Sequence, residues 1–122
     1  MSNHPTPEAV VQRQLEAFNA RDLDAWLATY AEDARQFEHP ATLLASGHAE
    51  IRTRSTARFA EPELHAHLLS RAVAGPLVID HEQVTRRFPE GPGLIEMVCI
   101  YEVRDGKIRS ASFLFGEKTF TP

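Results

Sequence analysis

The side chains best suited to chemistry in this chain are its histidines and the acids near them. His65-Ala66-His67 sets two imidazoles at i and i+2, so on a strand they share one face and can ligate a single metal ion. A third ligand would have to be His81 or Glu82 on the next extended run. With an even-length turn at Gly75-Pro76, His81 opposes Ser70 and lies on the other face. Glu82 then opposes Leu69 and stands on the histidines' face, but displaced from Val84, the partner of His67. Three ligands converge only with effort in that register, so no metal is expected; His65, His67 and Arg71, near Arg86, read as a polar outer face. His39, before Pro40, is another side chain that titrates near neutral pH and can act as general acid or base. There is no Gly-rich phosphate loop, no G-x-S-x-G and no Cys/His nucleophile pair, so no cofactor is expected. Cys99 lies inside an apolar strand pattern and reads as a buried, inert thiol.

Composition removes whole classes of partner. The 122 residues carry a formal net charge of −4, which offers no basic footprint for nucleic acid or an anionic membrane. No apolar run approaches the roughly 20 residues of a membrane span. The opening Met1-Ser-Asn-His-Pro-Thr-Pro7 has neither a basic region nor an apolar stretch and does not read as a secretory signal, so the expected compartment is the cytoplasm. The length suits a single domain over 1–122, with residues 1–5 expected as a flexible tail.

The elements that must hold these side chains follow from periodicity and punctuation. Thr6-Pro7-Glu8 is a helix start, with a hydroxyl at the N-cap, proline at the first position and an acid in the first turn. Val10, Val11, Gln14, Leu15 and Phe18 give a helical stripe, predicting a helix over about 7–20. Asp22 is the expected N-cap of a second helix, about 23–31, whose stripe is Leu23, Trp26, Leu27 and Tyr30. Arg35 to Glu38 read as a short extended piece, 41–46 as a loop, and 48–60 as a third helix with Ile51, Ser55, Arg58 and Phe59 along one flank. From Leu64 the period changes to two, predicting strands near 63–74, 77–88, 94–104 and 107–120. Asp105-Gly106 is a strong hairpin signal.

A regular two-residue turn there pairs Val98 with Phe113, Ile100 with Ala111 and Glu96 with Phe115 on one side. Met97, Cys99, Val103, Ile108 and Leu114 fall on the other. Both sides are apolar at their centres. One must be covered by the helices and the other by a partner, most simply a second copy, so a homodimer through the sheet is expected.

The opening Asn19-Ala-Arg-Asp22 break between a long and a short helix, followed by Tyr30-Ala-Glu-Asp-Ala34 and a strand, resembles the nuclear transport factor 2-like superfamily, which includes ketosteroid isomerase and the SnoaL-like cyclases. The resemblance spans about Val10 to Phe120. It implies an α+β, cone-shaped, cystatin-like fold: three N-terminal helices packed on a curved antiparallel sheet around a pocket.

Ketosteroid isomerase is itself a worked case of tuned acid groups, with a carboxylate base and an oxyanion hole of a tyrosine and a protonated aspartic acid. Its pattern laid on this chain puts the base at His39-Pro40, one tyrosine at Gln14, a second near Ser55, and the oxyanion acid at or beside Val98. None of those groups is retained, which argues against the same dienolate mechanism. The resemblance implies a pocket lined by Gln14, Phe18, Phe37, Ser55, Glu96, Val98, Ile100, Phe113 and Phe115, with His39 as the catalytic candidate; Arg52, Arg54 and Arg58 on the third helix read as a solvated face, from which Arg58 could reach an anionic ligand at the pocket mouth. The expected function is binding of a small hydrophobic molecule, with cofactor-free isomerisation, cyclisation or hydration if the protein is an enzyme. The alternative is a non-catalytic binding or dimerisation module of the same fold.

Overall fold

The computed structural model describes residues 3–120. Its elements run α1 (Pro7–Asn19), α2 (Leu23–Leu27), β1 (Tyr30–Glu38), β2 (Thr42–Ser46), α3 (Gly47–Phe59), β3 (His65–Ala74), β4 (Leu77–Phe88), β5 (Gly91–Arg104) and β6 (Lys107–Phe120). Six strands form one curved sheet in the order β2-β1-β6-β5-β4-β3, with the three helices packed on its concave side. This is the cystatin-like, nuclear transport factor 2-like α+β fold. The sheet is mixed, because β1 runs parallel to β6. No helix among the described residues is long and apolar enough to cross a membrane. Of the expected tail, residues 1 and 2 lie outside the described residues. Asn3 to Pro5 are exposed and irregular, and His4 and Pro5 lie against Gly106.

The caps act where the sequence puts them. Thr6 accepts a hydrogen bond from the Ala9 N–H at 3.2 Å, and Asp22 accepts one from Ala25 at 3.0 Å. The second helix, however, ends at Leu27, four residues short of the expected end. The Thr29 hydroxyl takes the Trp26 carbonyl at 2.7 Å, and the Thr29 carbonyl accepts from Ile108, which draws the chain into the sheet. Tyr30 is buried as the stripe requires, but on a strand. The expected loop at 41–46 is strand β2, paired antiparallel with β1 beyond the His39-Pro40 turn.

Asn19 ties the end of α1 to the sheet. Its side-chain nitrogen donates to the Ala66 carbonyl at 3.0 Å, and its side-chain oxygen accepts from the Ala66 N–H at 2.7 Å. Farther along, Arg71 on β3 grips Asp80 on β4 through two hydrogen bonds, at 2.7 and 3.0 Å, and donates to Gln12 of α1 at 2.9 Å. Asp80 is fully buried, so this ion pair is what makes its charge tolerable there.

The β5–β6 hairpin turns at Asp105 and Gly106, both with positive φ (53° and 75°), the backbone of a type I′ turn. Arg104 pairs with Lys107 and Val103 with Ile108, as a regular turn dictates. A bulge follows, so Glu102 pairs with Ser110, Cys99 with Phe113 and Val98 with Leu114. One extra residue reverses which faces agree. Met97, Cys99, Val103 and Ile108, expected outside on the face meeting a second copy, face the helices, so that of that set only Leu114 lies outside, while Glu96, Val98 and Ile100, expected inside, face outward. A second bulge, between Leu68 and Ser70, turns Glu82 away from His65 and His67, which remain exposed.

Removing the arginine of the buried pair should be costly. Arg71→Met strands the Asp80 carboxylate and is expected to lower unfolding free energy by about 3–5 kcal/mol. The double variant Arg71→Met/Asp80→Leu should recover most of that in urea titrations. Equal losses in the single and double variants would show that packing, rather than charge, is what the pair provides.

Candidate functional site

The inner side chains of β4 are Val78, Asp80, Glu82, Val84 and Arg86, an apolar alternation interrupted by acids and a base. Opposite them stand α1 and α3, and between lies a cavity of about 70 Å³. That is several times the roughly 10–15 Å³ one water needs. Its apolar walls include Phe18, Phe59, Phe113, Phe115, Met97 and Val84. Phe18 meets Phe59 edge-on at 5.4 Å between ring centres, and Trp26 packs on both Phe59 (5.0 Å) and Tyr30 (4.9 Å). These contacts fix α1, α2 and α3 relative to one another.

Polar groups enter from separate elements. Gln14 of α1 is buried, and its side-chain oxygen accepts from Trp26 Nε1 at 3.0 Å and from the Tyr101 hydroxyl at 3.4 Å. Gln36 of β1 is buried and accepts from Arg54 Nη1 at 3.5 Å. The Tyr30 hydroxyl, beside Gln36, is buried without a well-formed hydrogen bond. Ser55 of α3 completes the lining on the helical side. Arg54, Arg58 and Arg86, all half-buried, gather at the open end.

Glu82 is the carboxyl in this wall. Only 4% of it is exposed, and among the described residues its side chain's one hydrogen bond comes from the Cys99 thiol at 3.7 Å. Burial pushes its pKa up from 4.5 to about 7, and the Asp80 charge adds to the rise; the Cys99 thiol and Arg71 act weakly the other way. Burial likewise drives the Cys99 thiol and the Tyr101 and Tyr30 hydroxyls upward, so all three are neutral at physiological pH. Glu82 thus exchanges a proton near neutrality beside the neutral Cys99, Tyr101 and Tyr30 donors.

Of the residues expected at the site, Gln14, Phe18, Ser55, Phe113 and Phe115 line the cavity. The other expectations are corrected. His39 is exposed in the β1–β2 turn, its backbone N–H donating to the Phe113 carbonyl at 2.8 Å. Phe37 is on the outer side of β1, because Ala34 and Gln36 take the inward positions, and Arg35 stacks over its ring at 5.6 Å. Glu96 is on the outer sheet face, 2.7 Å from His81 Nε2, and Val98 and Ile100 share that face for the reason given by the bulge. Among the described residues no group of three His, Cys, Asp or Glu side chains is placed to hold a metal ion. Glu82, expected on the face of His65 and His67, Arg86, expected near a polar outer face, and Tyr30, expected on a helix, also line the cavity, as do Gln36 and Tyr101, which the sequence did not single out. The available signal was the pair of acids, Asp80 and Glu82, inside an apolar period-two run.

Residues 11–111 match the family model of the SnoaL-like domain. No curated protein matches the sequence. Among solved structures, an uncharacterised cystatin-fold protein from Novosphingobium aromaticivorans superposes with a TM-score of 0.80 at 21% identity, over 89% of this chain and 97% of that one. An NTF2-like protein of unknown function from Cytophaga hutchinsonii gives 0.75 at 16% identity, over 95% of each chain. A protein with a ketosteroid isomerase-like fold from Catenulispora acidiphila, in complex with trimethylamine, gives 0.71 at 19% identity, over 89% of this chain and 85% of that one.

The raised pKa of Glu82 makes stability depend on pH in a defined direction. The folded state holds the proton more tightly than the unfolded chain. This contribution is therefore complete below about pH 4.5 and lost as pH rises through about 7. Glu82→Gln, neutral throughout, should not show that fall. Its unfolding free energy relative to the native sequence should rise by about 3 kcal/mol across the window in denaturant titrations. Parallel pH profiles for the two proteins would show that Glu82 titrates normally.

Proposed function

This chain belongs to the SnoaL-like domain family, and from that premise we propose that its cavity carries out cofactor-free acid/base chemistry on a small, oxygenated, largely apolar molecule. The observation that carries the reading is Glu82: a nearly buried carboxyl in the cavity wall, held by a single weak hydrogen bond. A group with a pKa of about 7 is populated in both protonation states at neutral pH, so it can remove a proton in one step and return it in the next. The walls of Phe18, Phe59, Phe113 and Phe115 suit a hydrophobic substrate body.

The donors suit the other half of such a reaction. Removing a proton beside a carbonyl leaves negative charge on oxygen, and neutral hydroxyl and amide donors in a dry site stabilise it. Tyr30 offers a buried hydroxyl that lacks a well-formed bond, and Gln36 an amide beside it. Proton-transfer isomerisation beside a carbonyl, aldol-type cyclisation and conjugate addition of water to an enone each pass through such an enolate. His39, outside the cavity, has no part in the scheme.

A second copy of the chain is our reading for the outer face of the sheet. Ile79, Leu94 and Leu114 are exposed there beside half-buried Val98 and Ile100. Two of the charged groups around them are closed within the chain, His81 on Glu96 and Arg104 on Glu102. That leaves an apolar face able to meet its own copy across a two-fold axis without opposing bare charges. Leu114→Glu should shift the protein toward monomer in sedimentation at low micromolar concentration; a native chain that sediments as a monomer would refute the pairing.

The chemistry can be probed without knowing the substrate. 5-Nitrobenzisoxazole loses its ring C–H proton to a base while its N–O bond breaks, releasing a coloured cyanonitrophenolate. The protein should accelerate this reaction with a rate that rises through about pH 7, as the Glu82 carboxylate forms. Glu82→Gln should reduce the rate by about a hundredfold or more. A rate unchanged in that variant would sink the role of Glu82. Ligand binding with no acceleration would instead favour the non-catalytic binding module.

A further inference from the structure

Five arginines of this structure are closed on carboxylates. Arg52 meets Asp24 at 2.7 Å, Arg71 meets Asp80 at 2.7 Å, Arg87 meets Glu63 at 3.0 Å, Arg104 meets Glu102 at 2.9 Å and Arg109 meets Asp33 at 3.4 Å. The three at the open end of the cavity are different. Arg54 and Arg58 are one helical turn apart on α3, and Arg86 comes from β4 on the opposite wall. Arg54 reaches only the neutral side-chain oxygen of Gln36, at 3.5 Å. Arg58 stands 3.9 Å from Glu61, whose other oxygen is occupied by the Arg87 N–H at 2.7 Å. Arg86 lies over the Phe88 ring at 5.0 Å, and its Nε is buried with no hydrogen-bond partner among the described residues.

Three half-buried cations sharing one partly used carboxylate, with exposed Glu38 acting on Arg54 only at longer range, is an unfavourable arrangement by itself. Each guanidinium has given up water without gaining a full counter-charge. The strain shows at Arg58, where burial, with Arg86 and Arg54 adding to it, lowers the pKa to about 10. A bound anion removes the repulsion and satisfies the forks together. A guanidinium presents paired N–H groups in a plane, which fit the two oxygens of a carboxylate. The same cavity is lined by the aromatic rings of Phe18, Phe59, Phe113 and Phe115, which suit an apolar body.

We propose that Arg54, Arg58 and Arg86 bind the carboxylate of the ligand, so that the molecule this cavity takes is a small apolar acid held by its charged end at the mouth. The inference rests on the reading of the cavity as a ligand site and names the class of ligand. On β4, Glu82 is four residues from Arg86 on the same face, roughly 13 Å along the strand. The carboxylate end is thereby fixed at the mouth, and the part of the molecule remote from it extends toward Glu82.

The test compares benzoate, phenylacetate and cinnamate, each with its own primary amide, by calorimetric or fluorescence titration of the full chain. The amides have the same shape without the charge. The acids should bind at least about tenfold more tightly than their amides, and the difference should shrink as salt is raised. In Arg54→Gln, Arg58→Gln and Arg86→Gln the preference should fall, with amide affinity little changed. Should any variant fail to fold, the acid-to-amide ratio and its salt dependence in the native chain decide the matter alone. Equal affinity for acid and amide overturns the arginine site and leaves the Glu82 chemistry standing. Inorganic phosphate that displaces cinnamate at comparable concentration overturns the choice of carboxylate. Binding of neither member of any pair overturns the cavity reading and this inference together.

Discussion

Two carboxylates two residues apart on the inner face of β4 are the constraint around which this molecule is arranged. Asp80 and Glu82 both point from the sheet toward the helices, where an uncompensated charge is expensive. The fold resolves them differently. Arg71 reaches across from β3 to neutralise Asp80 and continues to Gln12, so the pair also seats α1 on the sheet. Glu82 is left without a cation of its own. The fixed negative charge of Asp80 then makes ionisation of Glu82 harder still, so a structural ion pair shapes the proton affinity of the neighbouring carboxyl.

The cavity has a polarity along its length. Toward Gln14, Trp26 and Tyr101 the polar atoms are neutral and mutually bonded, which makes that part rigid. Glu82 and the Tyr30 hydroxyl, buried in the same lining, have incomplete hydrogen bonding. At the mouth are the three arginines. No two adjacent residues in sequence supply this gradient; it draws on α1, α2, α3, β1, β4 and β5, and the sheet's curvature is what brings them to one space.

Local chemistry made most of the fold readable. Thr6-Pro7, Asp22, Gly47, Gly75 and Asp105-Gly106 each mark an element boundary by a backbone or capping requirement, and the boundaries of α1, α3 and the four long strands follow. Strand β2 was hidden because Thr42 to Ser46 carry no alternation; they are extended only because β1 is there to pair with. The site was less legible for a geometric reason. Bulges after the Asp105-Gly106 turn and at Leu69 each add one residue, and no side-chain signal marks them. Cys99 and Glu82 changed faces on those single insertions, as did Glu96 and Val98 in the other direction. The helical lining, Gln14, Phe18 and Ser55, was readable because a helix has no equivalent slip.

The paired contact of Asn19 with Ala66 has a consequence for how the molecule behaves in a crowded solution. β3 is an outermost strand of the sheet, and such a strand exposes unused backbone donors and acceptors that can recruit a strand from another chain. A primary amide has the same donor and acceptor as a peptide unit, and here it occupies both backbone groups of Ala66, as a neighbouring strand would. The helix end thus works as a one-residue counterfeit strand. Any chain seeking to extend the sheet at that point must first dislodge α1, and with it one wall of the cavity. Cover of that sheet edge and the seating of α1 over the cavity are joined in a single side chain.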